Sequence, residues 1–113
     1  MIRIGSEIVQ LVPQIALRTM ILNRSETLVF NEADNVVSVA FKNVGSDNAT
    51  INGAKLNAGD PMYSIGVAET AQLLGNFAVN FANVNPARNC EVVIASRIGF
   101  KEIRTAINII EKI

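Results

Sequence analysis

The groups available for chemistry in this 113-residue chain are few: ten Lys plus Arg, ten Asp plus Glu, one cysteine and no histidine. Without imidazole, the usual serine and cysteine triads, His acid/base steps and nearly all catalytic zinc sites are excluded. Neither Gly-x-x-x-x-Gly-Lys nor Gly-x-Gly-x-x-Gly occurs, which removes the common phosphate cradles. The acid groupings close in sequence are Glu32 with Asp34 and Asp47 with Asp60. Such pairs could run glycoside hydrolysis, and Asp47 with Asp60 could hold calcium together with loop carbonyls. All four, however, stand among turn-forming residues, where carboxylates ordinarily bond local backbone and face water, and EF-hand spacing is absent. The expectation is a chain that is not an enzyme, with no catalytic residue, no cofactor and no metal. Cys90 falls on the apolar face of an expected strand and reads as a buried structural thiol. Asn23-Arg24-Ser25 and Asn48-Ala49-Thr50 match a glycosylation pattern in spelling and are read as turn or strand-edge residues.

Charge narrows the partners. The two signs balance and neither forms a run, so nothing would neutralise a row of phosphates or hold the chain on an anionic bilayer. The expected partners therefore exclude nucleic acid and membrane. Half of the residues are hydrophobic and mean hydropathy is positive, apolar for a domain of this size. Part of that excess is expected to lie against other subunits, because charge is depleted at interface cores. A well-filled monomer core is the alternative. No run reaches the roughly 20 apolar residues of a membrane-spanning helix. No signal peptide is read at the N-terminus, where Glu7, Gln10 and Pro13 interrupt the apolar segment, so synthesis and assembly in the cytoplasm are expected.

The elements that must position these residues are mostly strands. Val37, Val39 and Phe41 alternate with Ser38, Ala40 and Lys42, the period of a half-buried strand. Asn52-Gly53 suits a two-residue type I′ turn, whose central positions both need positive φ. That turn would set Ile51 opposite Ala54, Thr50 opposite Lys55 and Ala49 opposite Leu56. Residues 62–65 read as a short strand after Pro61, and 67–74 as a connection. Phe77, Val79 and Phe81 face inward on another strand, residues 83–89 form a loop, and Cys90, Val92, Ile94 and Ile98 share the inner face of the next. Residues 25–30 read as one more strand, followed by a turn at 31–35.

The two ends are expected to differ. Phe100, Ile103, Ile107 and Ile110 recur at spacings of three and four, so residues 100–113 read as an amphipathic helix. Residues 1–22 read as an extended arm or edge strand beginning after Pro13, with Ile15, Leu17 and Ile21 on one face; a helical stripe broken at Pro13 is the alternative. The fold class is mainly β: one domain over residues 1–113, an antiparallel β-sandwich or small barrel with a C-terminal amphipathic helix, or else α+β.

Residues 39–60, Val-Ala-Phe-Lys-Asn-Val-Gly-Ser-Asp-Asn-Ala-Thr-Ile-Asn-Gly-Ala-Lys-Leu-Asn-Ala-Gly-Asp, resemble a pattern in small β-sandwich virion proteins of tailed bacteriophages. There a strand ending in Asn-x-Gly leads into a hairpin, then a Leu, then a Gly followed by an acid; Ala58 stands where proline often precedes that Gly. Head decoration, auxiliary capsid and head-fibre base proteins are the kinds it resembles. The resemblance implies a structural virion protein that docks as a homo-oligomer on capsid or connector, contacts other virion proteins and resides in the virion after assembly in the host cytoplasm. The residues expected at such a protein interface are Ile8, Leu11, Ile15, Phe100, Ile103, Ile107 and Ile110. A binding module reading carbohydrate or peptide through the Asn-rich loops 43–48 and 83–89 is the alternative.

Overall fold

The structure, a computed structural model, describes residues 2–83 and 87–111, and the side chains of 8–83 and 87–105 among them. Among the described residues eight strands form: β1 (Ile2–Leu22), β2 (Glu26–Phe30), β3 (Val36–Asn43), β4 (Ala49–Ile51), β5 (Ala54–Leu56), β6 (Tyr63–Gly66), β7 (Gly75–Phe81) and β8 (Cys90–Glu111). They build two four-stranded sheets, ordered β1-β8-β3-β6 and β2-β7-β4-β5, in which every pairing is antiparallel. The chain is a β-sandwich.

Alternation explains what lies between the sheets. Val39, Phe41, Val92, Ile94 and Cys90 from the first sheet meet Leu28, Phe30, Ile51, Leu56, Phe77 and Val79 from the second. Phe41 is fully enclosed, its ring 6.0 Å from that of Phe77 and 6.4 Å from that of Tyr63; Phe77 in turn lies 5.5 Å from Phe30. Tilted pairs at these separations let the positive edge of one ring meet the negative face of the next. The β4–β5 hairpin has the expected register, Ile51 to Ala54, Thr50 to Lys55 and Ala49 to Leu56. Its turn has φ of 49° at Asn52 and 84° at Gly53, as a type I′ turn requires. Ala54 is nevertheless exposed, so the inner face there is Ala49, Ile51 and Leu56.

Bulges account for the places where simple alternation misplaced a face. Val36 pairs with Ser96 and Ser38 with Ala95, so Val37 is an extra residue; Val36, rather than Val37, joins Val39 and Phe41 in the central cluster. A second shift lies between Gln14 and Ile15 on β1. Beyond it Met20 and Leu22 turn inward, while Leu17 and Ile21, expected to share a face with Ile15, stand in solvent.

Both chain ends depart from expectation more strongly. β1 begins at Ile2 and passes through Pro13, and β8 continues to Glu111 where a helix from residue 100 was expected; its residues 112–113 lie outside the described residues. Proline is accepted because β1 is an outer strand and Pro13 adjoins the register shift, the two settings in which a missing N–H leaves the ladder intact. On β8, Glu102, Arg104, Ala106 and Asn108 alternate with Ile103, Thr105, Ile107 and Ile109. That period of two, rich in β-branched residues, outweighs the helical spacing of Phe100, Ile103, Ile107 and Ile110 once a partner strand is at hand. Ile98, expected on the inner face, is 68% exposed because β3 ends its pairing at Ser96 and nothing beyond covers that side.

Candidate functional site: the terminal ribbon

Past Ser96 the first sheet narrows to two strands. Residues 2–14 pair with 99–111 in unbroken antiparallel register, from Ile2 opposite Glu111 to Gln14 opposite Gly99. At about 3.3 Å per residue this ribbon is ~40 Å long, half of the 80 Å long axis of the molecule, whose other dimensions are 27 and 19 Å. The radius of gyration is 21.7 Å, against about 13 Å for a compact chain of this length.

The ribbon carries the residues expected at an interface and distributes them over both faces. Residues directly opposite in an antiparallel pair share a face. Ile8, Val12 and Ile103 therefore lie on one side with Gln10, Lys101 and Thr105, and Val9, Leu11, Pro13 and Phe100 lie on the other with Glu102 and Arg104. Ile8, Val9, Leu11, Phe100 and Ile103 are all exposed, Leu11 by 64%. Ile15 is half-buried at the ribbon's base, opposite Arg97. Ile107 and Ile110 sit opposite Ser6 and Arg3 in register, and their side chains lie outside those described. Val9 was not singled out from sequence, because its exposure follows from the pairing of residues 2–14 with 99–111. Each large aliphatic side chain left in water forgoes about 1.5–3 kcal/mol of burial.

Arg97 braces the point where the ribbon leaves the sandwich. Its guanidinium donates to the carbonyls of Glu69 (3.0 Å) and Ala71 (3.4 Å) and to Oδ1 of Asn35 (3.4 Å), and lies 5.3 Å above the Phe100 ring. Its backbone N–H also donates to the Asn35 carbonyl. Glu102 and Arg104 form an ion pair at 2.8 Å along β8.

The carboxylates and amides that could do chemistry are used in turns. The Asp34 carboxylate accepts from the Asn31 N–H, and that of Asp60 from the Asn57 N–H, both at 2.7 Å. Asp47 is buried; Asn83 donates to it from its backbone N–H (2.9 Å) and its side-chain amide (3.0 Å). The backbone bond from Asn83 is the main cause that holds the Asp47 carboxyl below its ordinary pKa; burial opposes it, and Arg88 adds a smaller favourable charge. Asn43 is buried beside it, donating to the carbonyls of Asp47 and Leu56 while accepting from the Gly45 N–H. The amides of Asn43 and Asn83, expected to be available in recognition loops, are thus occupied in tying loops together; residues 84–86 of the second loop lie outside the described residues. Burial pushes the Cys90 thiol up to about 11. Among the described residues no cluster of three or more His, Cys, Asp or Glu side chains could hold a metal, and no helix is long and apolar enough to cross a membrane.

Two concavities open on the surface of the described residues. One, of about 350 Å³, opens where the outer strands β1 and β2 meet, between Leu17, Met20, Leu28 and Ile94, with Arg18 and Asp34 at its rim. The other, of about 330 Å³, lies on the outer side of the second sheet, bordered by Asn48, Lys55, Asn57, Asn80 and Phe81. Neither assembles a nucleophile beside a base. No family model, curated protein or solved structure matches this chain.

Proposed function

We propose that this chain is a structural assembly protein, a virion component of a tailed bacteriophage that docks as an oligomer on capsid or connector. One observation carries the assembly reading: a two-stranded ribbon, bare on both faces and rich in apolar residues, extends from a well-packed sandwich. A lone pair of strands is marginal in water and gains stability from further strands or a covered face, which an assembled particle supplies. The virion assignment rests on the resemblance of the turn pattern in residues 39–60 to that of small phage sandwich proteins. The absence of histidine and the use of the carboxylates as turn clamps favour a structural role over catalysis.

The test is fractionation of the producing cells. The chain should sediment with particles of capsid size in a density gradient and leave them when they are disrupted. Recovery only in the slowly sedimenting protein fraction overturns the proposal. A second reading, a binding module, is favoured by the recess lined by Asn48, Asn57 and Asn80; glycan-array binding lost in Asn80→Ala would support it.

A further inference from the structure

We propose that the ribbon is completed by the ribbon of a second copy of this chain, which pairs with it along an open strand edge and stacks on its apolar faces. This deepens the assembly reading, and rests on it for its setting, by naming the partner at that surface.

Hydrogen-bonding capacity gives the first argument. β1 is the outer strand of its sheet along its whole length, and β8 has no neighbour but β1 after Ser96 among the described residues. Each copy therefore offers two open strand edges of matching length, one from each chain end. Open edges are templates for strand addition unless charge, proline or a bulge blunts them. Here the blunting is limited: Pro13 and the bulge beside it lie at the ribbon's base, and the charges of the two strands, Arg3, Glu7, Lys101, Glu102, Arg104 and Glu111, divide evenly between the two signs.

Surface area gives the second. The chain exposes 7340 Å², whereas a compact monomer of its mass exposes about 6,000 Å². The excess, about 1,300 Å², exceeds the ~800 Å² that each partner contributes to a stable interface of standard size. A net charge of zero opposes self-association less than a strongly charged chain would. Both faces of the ribbon carry apolar side chains, Ile8 and Ile103 on one and Leu11 and Phe100 on the other, so copies can pair at an edge and also stack.

The experiment measures the mass of the purified full chain by light scattering during size exclusion, at micromolar and at millimolar concentration, beside the double variant Ile8→Lys, Leu11→Lys. One substitution falls on each face, and the second sets an ammonium opposite Glu102, so the ribbon itself is not disfavoured. The wild-type chain should have the mass of two or more copies, and the variant at least a tenfold weaker association with an unchanged urea midpoint for the sandwich. In the wild-type oligomer, amides of residues 2–14 and 99–111 should be protected from exchange. A wild-type chain that stays single at both concentrations overturns the proposal, as does one that is single in water and floats with phosphatidylcholine vesicles. An oligomer that the double variant leaves intact, or whose ribbon amides exchange freely, overturns it too. A single chain that still sediments with particles removes this proposal and leaves the assembly reading standing; an oligomer never found with particles does the reverse.

Discussion

Replacing Gly45 by alanine should destabilise the fold by about 2–3 kcal/mol, although the same change would usually stabilise a chain. Alanine restricts the unfolded state and commonly adds about 0.4–1 kcal/mol where the native backbone accepts it. At Gly45 the obstacle is space: a Cβ would lie 2.3 Å from the carbonyl oxygen of Ala87 and 2.7 Å from the backbone nitrogen of Asn89. Relieving that overlap to ordinary van der Waals contact takes about 1 Å of separation between the two loops. Those loops are joined by four backbone bonds: Val44 and Gly45 donate to the Asn89 carbonyl at 3.0 Å, and Ser46 and Asp47 donate to that of Ala87 at 2.9 and 3.2 Å. A 1 Å shift carries at least two of them beyond bonding range, at about 1–2 kcal/mol each where the groups stay partly buried. The loss exceeds the unfolded-state gain. Urea unfolding followed by far-ultraviolet circular dichroism should give a lower midpoint at unchanged slope, and the melting temperature should fall by roughly 10 °C. A midpoint equal to or above that of the wild type would refute the argument that the approach of Gly45 to Ala87 and Asn89 is what demands glycine.

Four further outcomes follow from named contacts. Phe41→Ala empties the centre of the sandwich and removes the ring contacts to Phe77 and Tyr63, so a loss of about 3–5 kcal/mol is expected in the same urea assay. The lowered pKa of Asp47 means that the unfolded chain binds its proton first as pH falls. Its contribution is therefore complete above the ordinary carboxylate pKa of about 3.9 and drains away as acid is added below it, so Asp47→Asn should flatten stability against pH in that range and nowhere above. Cys90, buried with its pKa raised, should react with a thiol reagent only at the rate of unfolding, and at once in denaturant. Arg97→Ala should speed hydrogen exchange of the amides at 97–100 with little change at Val39 or Val92, because the bonds it removes brace the ribbon's base and not the core; equal acceleration throughout would count against that role.

How far the sequence could be read depended on how far apart the interacting residues lie. The hairpin at Asn52-Gly53 was legible to the residue, since the turn's positive φ values and the pairs Ile51 to Ala54 and Ala49 to Leu56 all lie within eight positions. Legible too were the inward Phe77 and Val79 and the buried Cys90, Val92 and Ile94, because alternation against one opposing sheet is a local pattern. The interface candidates Ile8, Leu11, Phe100 and Ile103 were picked out as apolar residues of the two chain ends, and the structure places them, exposed, on one ribbon.

Local pattern could not decide the rest. The spacing of Phe100, Ile103, Ile107 and Ile110 fits a helix, and the alternation from Glu102 to Ile109 fits a strand equally well; the presence of residues 2–14 as a hydrogen-bonding partner, brought there by the closure of the whole sandwich, selects the strand. The bulges at Val37 and beside Ile15 likewise arise from fitting a twisted sheet to its neighbours, and each turns the face that simple counting assigned. By itself the sequence determined a β-rich chain without imidazole chemistry, its central hairpin and the composition of its core, because turn dihedrals and alternation act over a few residues. Only the tertiary structure decided that the two ends are one ribbon, since each strand is completed by hydrogen bonds to a partner that stands at the other end of the chain.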